Sequence, residues 1–535
     1  MASLRGDIER FGVEQTADLL AHVAMGYSHV GDFRQAYDIL HPLVHQQKDT
    51  ISVTGLEALQ VMVENCRNAE ELHAAVELVQ FLVEERGNPN TFGIDRYTYL
   101  SKLCRRVLKR EEQLKIDTGI PPQFWKCLID DITSSSLQPT LSCYTSLLAL
   151  QVQLSLAEAE KQHRKESLTA LKDAEELLSK MRYEGFTPSL YVYNILIHGY
   201  SSLSFQDMKP DERLTRALKV LDAMKAVDVG PNTHTYTSLF NACLPTKSWS
   251  SQIDQRVMEV EKDMRNAGLA HDVVSSGTFT RVLGAGRLYE KMFEAFIKMR
   301  HEGIPRDLSI YNTLLHASKE TPTAALRAMS LYFEDTRKYP SLRPNFLTCR
   351  WLLDCCGTTK KSKLAEWIVT TYAKDMGILV EAATLNSLLS VLVKCEEEEG
   401  IDRLVTTGFT EHRLKPTRDT VKIVLSYYCL KKQDLVKAAK MLQIFEKRKL
   451  ERDSMCVDLL ARGYFLEGRT DEGLELLRDP LCDKGTFQTL LRDPQVRKPG
   501  TDYRTAKKVF EVLKEVAPQN NWTDAKWYKS LEANF

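Results

Sequence analysis

The stretch TPSLYVYNILI, residues 187–197, contains the pattern that decides the fold. A short turn segment with Pro188 is followed by apolar residues three and four positions apart, which predicts a helix that opens directly after a turn. The same pattern recurs in GPNTHTYTSLF (230–240), PRDLSIYNTLL (305–315), RPNFLTCRWLL (343–353), LVEAATLNSLL (379–389) and KPTRDTVKIVL (415–425). The chain is therefore predicted to repeat one local unit.

A second amphipathic segment precedes each of these openings, as in ALKVLDAMKAVDV (217–229) and YEKMFEAFIKMRHEGI (289–304). The unit is thus helix, turn, helix, turn. First helices are predicted to begin at Leu141, Leu190, Thr233, Val273, Leu308, Phe346, Ala382, Arg418 and Ser454, with a spacing of about 36 residues in the later units. Because one helix pair cannot bury its apolar face alone, the pairs must stack. The predicted fold class is all-α, a right-handed α-α superhelix (solenoid) of about 36-residue helix-turn-helix repeats.

The regularity of the pattern divides the chain into three parts. Residues 1–140 are predicted to form degenerate helical repeats, with one inter-helix turn at Gly31-Asp32. Residues 141–478 form the regular array, with insertions over 203–211 and 244–254. Residues 479–535 are predicted to be a helical cap with one closing helix over 503–516, since the ends of a repeat stack are atypical.

The balance of basic and acidic residues limits the kinds of partner that the chain can bind. The 535 residues contain 72 Lys+Arg and 72 Asp+Glu, which excludes a uniformly cationic surface but allows local basic stripes. The basic clusters are Arg105-Arg106 with Lys109-Arg110, Lys360-Lys361 with Lys363, Lys431-Lys432, and Lys447-Arg448-Lys449. Each is read either as a set of phosphate contacts or as a solvated helix end. The acidic run 396–399 is predicted to be a solvated turn.

Other motifs point away from membranes, metals and catalysis. The sequence has no stretch of about 20 apolar residues, and its N-terminal segment, which carries Asp7 and Glu9, does not resemble a presequence. We therefore expect a chain made without a presequence or given from near its mature end. The twelve cysteines are scattered, which predicts reduced, mostly buried side chains. His41 and His45 lack further ligands, and 284–286 lacks a dinucleotide fingerprint. We expect no catalytic residues, no metal site and no cofactor.

With this register the chain resembles the pentatricopeptide repeat family, helix-turn-helix repeats that bind RNA in mitochondria and plastids. The resemblance lies in Tyr193-Asn194 of YVYNILIHGY, Tyr236-Thr237 of HTYTSLFNA, Tyr311-Asn312 of SIYNTLLHA, and the closing KMRHEGIPRD over 298–307. It is strong over 190–345, fair to about 477 and weak before 141. A tetratricopeptide array has the same architecture and is the alternative.

The resemblance implies which residues contact RNA bases. In the family, the fifth residue of the first helix and the last residue of the repeat together contact one base. The corresponding pairs are Thr145 with Ser189, Asn194 with Asn232, Thr237 with Asp272, Asn312 with Asn345, and Asn386 with Thr417. Short polar side chains of this kind can hydrogen-bond to the edge of an unstacked base. The family's code then implies a purine, C, G, C and a pyrimidine, respectively.

Several positions depart from the family pattern. The family's code assigns no base to three of the pairs, which are Gly277 with Asp307, Arg350 with Glu381, and Lys422 with Asp453. The second helical residue, which sandwiches the base in the family, is Val274 or Leu347 in two repeats, Tyr191 or His234 in two others, and Ser309, Ala383 or Asp419 elsewhere. Tyr191 and His234 could stack on a base, whereas Asp419 would repel phosphates.

The resemblance also implies the biological setting. We expect a protein without appended catalytic domain that binds single-stranded organellar RNA, in the mitochondrial matrix or, as second choice, the plastid. Its expected role is RNA maturation, stability or translation, with protein partners in a ribonucleoprotein or ribosomal assembly. The alternative function is a tetratricopeptide-like scaffold that binds proteins and no RNA.

Overall fold

The computed structural model describes residues 16–46, 51–85, 93–134, 138–203, 210–244, 251–339, 342–492, 504–518 and 520, and all regular structure in these ranges is helical. In the N-terminal part the helices are α1 Ala17–Val30, α2 Phe33–Gln46, α3 Val53–Asn65, α4 Ala69–Glu84, α5 Ile94–Leu114 and α6 Cys127–Ser134, with a short 3₁₀ helix at Pro122–Lys126. In the next part they are α7 Leu141–Glu160, α8 Arg164–Tyr183, α9 Leu190–Ser202, α10 Pro210–Lys225, α11 Thr233–Ala242, α12 Ser251–Asn266, α13 Val273–Ala285 and α14 Tyr289–His301.

The remaining helices continue the alternation. They are α15 Leu308–Ser318, α16 Pro322–Lys338, α17 Phe346–Thr359, α18 Ser362–Trp367, α19 Ala382–Cys395, α20 Glu398–Arg403, α21 Arg418–Leu425, α22 Leu435–Lys447, α23 Ser454–Leu466, α24 Thr470–Leu476, α25 Lys484–Arg492 and α26 Arg504–Val516. Helices α18, α20 and α21 continue into π-helical turns at Ile368–Tyr372, Leu404–Gly408 and Ser426–Lys432. All nine predicted first-helix starts are confirmed, from Leu141 to Ser454.

The helices pack into two compact units, residues 1–305 and 306–535. Within the first unit, α5, α7, α9, α11 and α13 pack against one another in chain order, and each contacts a partner helix of its own repeat or of the repeat before it. Within the second unit, α15, α17, α19, α21 and α23 do the same. The predicted all-α stack of helix pairs is therefore confirmed in each unit. The two units are defined by how the helices pack. They do not test the predicted boundaries of the regular array at residues 140 and 478, which stay predictions.

Second helices end in short left-handed turns that return the chain to the next first helix. Gly185 has φ of 87° and Gly303 has φ of 70°, a region that glycine enters without a Cβ clash. The insertions are shorter than predicted, because Pro210 and Ser251 already lie in second helices, whose acidic first turns favour helix starts. Residues 204–209 and 245–250, the middle of each insertion, lie outside the described residues.

Buried tyrosines tie first helices to carboxylates on second helices. The hydroxyl of Tyr236 on α11 donates to Asp263 on α12 over 2.8 Å, and that of Tyr428 donates to Asp402 over 2.8 Å. Tyr311 on α15 donates to the buried Asp335 on α16, which also forms an ion pair with Arg306 at 2.5 Å. These contacts satisfy polar groups that would otherwise be costly to bury, and they fix the two helix layers relative to each other.

The cysteines behave as the sequence predicts for core residues. Ten of the twelve are buried, and Cys127 and Cys395 are partly so. Burial raises the pKa of Cys356 on α17 to about 12, so its thiol is protonated at neutral pH. Among the described residues, no helix is long and apolar enough to cross a membrane.

The Asp335 contacts predict a measurable stability difference between two adjacent positions. Asp335→Ala removes the buried carboxylate that pairs with the nearly buried Arg306 guanidinium and should destabilise the protein by ~3–5 kcal/mol. Glu334→Ala, on the same helix, removes a half-exposed pair with Lys338, which contributes on the order of ~0.5 kcal/mol, and should cost much less. Chemical unfolding of both variants measures the difference, and equal losses would contradict the assignment.

Candidate nucleic-acid interface

The residue before each first helix is its N-cap. The Oδ1 atoms of Asn232, Asp272 and Asn345 accept hydrogen bonds from backbone N–H groups three residues later, at 3.0, 2.7 and 2.9 Å. These caps satisfy donors that the helix itself leaves free. The last residue of each repeat, predicted to contact a base, therefore also has a structural role in starting the next helix. Ser189 and Glu381 are exceptions, since their side chains make no capping hydrogen bond.

Two of the five predicted pairs are joined by direct hydrogen bonds between neighbouring first helices. Asn194 Nδ2 lies 3.4 Å from Asn232 Oδ1, and the Thr235 hydroxyl donates to Asn194 Oδ1 over 2.7 Å. The second pair has the same arrangement, because Asn386 Nδ2 donates to Thr417 Oγ1 over 3.0 Å and accepts at Oδ1 from the Thr420 hydroxyl over 2.6 Å. Each network leaves the side chains oriented and partly satisfied before any base arrives.

The other predicted pairs have no direct hydrogen bond among the described contacts. The hydroxyls of Thr145 and Thr237 donate to backbone carbonyls four residues earlier, each over 2.8 Å. The buried Oδ1 of Asn312 has no hydrogen-bond partner within the described part of the chain. Whether any of the five pairs contacts a base stays a prediction.

The second residue is exposed in eight of the nine first helices from α7 to α23, Met455 being partly buried, in contrast to the apolar residues that follow it. Tyr191 is 53% exposed, Val274 66% and Leu347 47%, and His234 is also exposed. A single exposed apolar side chain is ordinary, but recurrence at one position of successive repeats is not. These side chains present flat or apolar surfaces at the start of the first helices, beside the capping residues. That is where a stacked base would need them.

The structure divides the basic cluster on α5 into two faces. Arg106 forms an ion pair with Glu64 at 2.9 Å, and Arg110 Nε donates to the Cys66 carbonyl over 3.0 Å. Arg105, in contrast, donates to the Tyr191 hydroxyl over 3.4 Å. Neither Arg105 nor Lys109 has a carboxylate partner among the described residues. These two cations, one helical turn apart, are therefore free to contact an anion next to Tyr191.

A pocket of about 310 Å³ opens beside these cations, between α5, α7 and α9. His198 on α9 lines it together with Arg105 and Lys109. The pKa of His198 lies below its ordinary value because of desolvation, reinforced by the neighbouring His234 and the two basic side chains and opposed by Glu112. Its imidazole is thus mainly neutral at pH 7, and its Nδ1 lies 3.4 Å from the Ser202 hydroxyl. Sequence reasoning missed this pocket.

The basic and acidic runs of the second unit neutralise each other. Lys431 pairs with Glu396 at 2.9 Å, and Lys432 pairs with Glu398 at 3.2 Å. The interpretation of 396–399 as a solvated turn was therefore incomplete, because the next repeat supplies lysines that lower the pKa of both glutamates. The same pairs make Lys431 and Lys432 poorer candidates for phosphate contacts.

The histidine pair and the glycine motif noted in the sequence have structural roles, in aromatic packing and in ending a helix. His41 and His45 stack with ring centroids 4.5 Å apart, and His45 also packs on Phe81. Within the described ranges, no group of three or more His, Cys, Asp or Glu side chains could hold a metal ion. Gly286 ends helix α13 as its C-cap residue.

The comparisons with known proteins identify relatives of this helical repeat protein. It is 27% identical to the pentatricopeptide repeat-containing protein At1g76280 of Arabidopsis thaliana over 237 residues, which are 42% of this chain and 29% of the relative. It is 23% identical to At5g25630, another pentatricopeptide repeat-containing protein of Arabidopsis thaliana, over 327 residues, 57% of this chain and 48% of the relative. The chain thus spans less than half the length of either relative. No protein-family model matches it.

Solved structures of the pentatricopeptide repeat protein PPR10 are similar as well. The complex of PPR10 with an 18-nt psaJ RNA element is 16% identical, with a TM-score of 0.49, covering 95% of this chain and 75% of that one. PPR10 from maize is 15% identical, with a TM-score of 0.29.

Stacked helix pairs that start after a capping residue define the chain as an α-helical repeat protein. Both sequence relatives are pentatricopeptide repeat-containing proteins, which agrees with the resemblance seen in the sequence.

The capping geometry predicts that alanine substitutions at equivalent positions of adjacent repeats lower the free energy of unfolding by different amounts. Asn232→Ala removes the cap of α11 and should destabilise the protein by ~1 kcal/mol. Ser189→Ala removes a side chain that makes no such bond at the start of α9, so it should change the unfolding free energy by only a few tenths of a kcal/mol. Denaturant unfolding compares them, and an Asn232→Ala protein as stable as the parent would show that the cap is not needed.

Proposed function

We propose that the chain binds single-stranded RNA along the face formed by the first helices. The observation that carries the proposal is the recurrence, at the start of successive first helices, of an exposed second residue beside a polar capping residue. His234 beside the cap Asn232 and Val274 beside the cap Asp272 are the clearest cases. Stacking surfaces next to oriented hydrogen-bonding groups are what recognition of unstacked RNA bases needs.

The electrostatics of the first unit support the same proposal. Arg105 and Lys109 lie beside Tyr191 without carboxylate partners, and phosphate contacts require such free cations. The balanced total charge is no obstacle, because a phosphate responds to the local field.

We further propose an organellar setting, with the mitochondrial matrix before the plastid. There the protein would act as an RNA maturation, stability or translation factor, alone or with partners in a ribonucleoprotein such as the mitochondrial ribosome. The mechanism is passive, since binding shields or presents the RNA and involves no catalytic step. The family resemblance supports this setting.

Base selection can be tested at Thr237, whose partner Asp272 implies G. Fluorescence anisotropy would compare an RNA of pattern purine-C-G-N-C-N-pyrimidine with the RNA in which C and G are exchanged at the second and third positions. The parent should prefer the first RNA, and Thr237→Asn should reduce the preference by ~1 kcal/mol or more.

Thr313→Asn is the matched control for this substitution. The Thr313 hydroxyl also donates to a carbonyl four residues earlier, but Thr313 lies one position beyond the predicted base contact. The control should keep the parent preference. A parent protein that binds both RNAs equally would contradict base selection while leaving RNA binding intact.

Salt dependence tests the contribution of the free cations. RNA affinity should fall steeply with salt, and Lys109→Gln should reduce the slope of log affinity against log salt by ~0.7, the value for one phosphate contact on a single strand. Lys262→Gln on α12, an exposed lysine without an ion pair among the described residues, should leave the slope unchanged. Absence of RNA binding at low salt would favour the protein-binding scaffold instead.

A further inference from the structure

The pocket between α5, α7 and α9 has a different chemistry at its two ends. Arg105, Lys109 and Glu112 lie in that order along α5, and all three line the pocket. At a rise of ~1.5 Å per residue, Glu112 lies ~10 Å along the axis from Arg105. The charge therefore changes from positive to negative along one helix.

The positive end is built for an anion. Arg105 and Lys109 are one turn apart on the same face, and His198 faces them from α9. Arg105 is held next to the half-exposed Tyr191 ring by its 3.4 Å contact with the hydroxyl. No carboxylate is bound to either cation among the described contacts, so their charge is not neutralised in the protein.

The opposite end is built of acceptors. Glu112 accepts a hydrogen bond from Gln153 Nε2 over 3.1 Å, and Glu160 at the end of α7 lies close enough to Glu112 that repulsion contributes to the raised pKa of Glu160. Burial is the larger cause of that shift. Two carboxylates that face one cavity can accept hydrogen bonds from a donor group that occupies it.

The floor between the two ends is apolar. Val152 and Leu156 of α7 and Ile195 of α9 line it, and Val152 is 3% exposed. A volume of about 310 Å³ matches the lower limit of ligand pockets, ~300 Å³, and suits a flat, medium-sized group with polar ends.

We propose that this pocket binds one nucleotide of the RNA, with its phosphate at Arg105 and Lys109, its base on the apolar floor, and an exocyclic amine of the base donating to Glu112 and Glu160. The inference rests on the proposed RNA binding and adds a site outside the repeated base-contact pairs. Adenine, cytosine and guanine carry an exocyclic amine, whereas uracil does not. The pocket thus selects against uridine.

Isothermal titration of the full chain with single nucleotides tests the site directly. The probes are 5′-AMP, 5′-UMP, adenosine and inorganic phosphate, with RNA binding measured on the same preparation by anisotropy. Binding of 5′-AMP should be tighter than that of the other three. Lys109→Gln should weaken 5′-AMP binding about tenfold, as for the loss of one charge-assisted hydrogen bond, and Lys262→Gln should not change it.

A second variant separates the base end from the phosphate end. Glu112→Ala with Glu160→Ala should equalise 5′-AMP and 5′-UMP while both remain tighter than adenosine. Both glutamates are exposed by surface area, so the substitutions do not empty the core, and an unchanged thermal unfolding midpoint confirms folding.

The outcomes distinguish this site from the general function. RNA binding without 5′-AMP binding at millimolar concentration overturns the nucleotide pocket and leaves the proposed function in place. Equal binding of phosphate and 5′-AMP also overturns it, because the site would then recognise only an anion. Failure of both RNA and 5′-AMP to bind overturns the two proposals together.

Discussion

One helix pair of about 36 residues cannot bury both sides of its first helix, and this constraint determines the rest of the structure. Each first helix must be covered by the first helices before and after it, as α9 is by α7 and α11. Stacking in this way brings equivalent positions of successive repeats onto one face. A ladder of similar sites then follows from the core packing, without any separate requirement for RNA.

The start of each first helix carries two requirements at one residue. Asn232 caps α11, and the resemblance predicts that it also contacts a base, so only side chains that can accept from a backbone N–H would suit both tasks. Asn, Asp, Ser and Thr meet this condition, and they are also the residues with which a base edge can exchange hydrogen bonds. The restricted alphabet at this position therefore has a folding reason as well as a recognition reason.

The sequence predicts the first-helix starts well, because three local signals coincide there: a turn, a cap and an apolar stripe. Residues such as Thr233 and Phe346 follow all three, and the structure begins helices at both. The nucleotide-sized pocket was not predicted, because Arg105, Val152 and His198 come from three helices and from no repeated position. The spacing of Arg105 and Lys109 was visible, but only packing shows that Arg106 and Arg110 between and beside them are engaged elsewhere.

A neutral chain can still attract a polyanion if its charges are distributed unevenly between paired and unpaired positions. In the second unit, Lys431 and Lys432 are neutralised by Glu396 and Glu398 of the preceding repeat, so their field falls off quickly. In the first unit, Arg105 and Lys109 keep their charge beside Tyr191. Attraction for phosphate should therefore be stronger at Arg105 and Lys109 than at Lys431 and Lys432. The net charge of the chain does not show this difference, because the difference depends on whether each lysine or arginine is paired with a carboxylate.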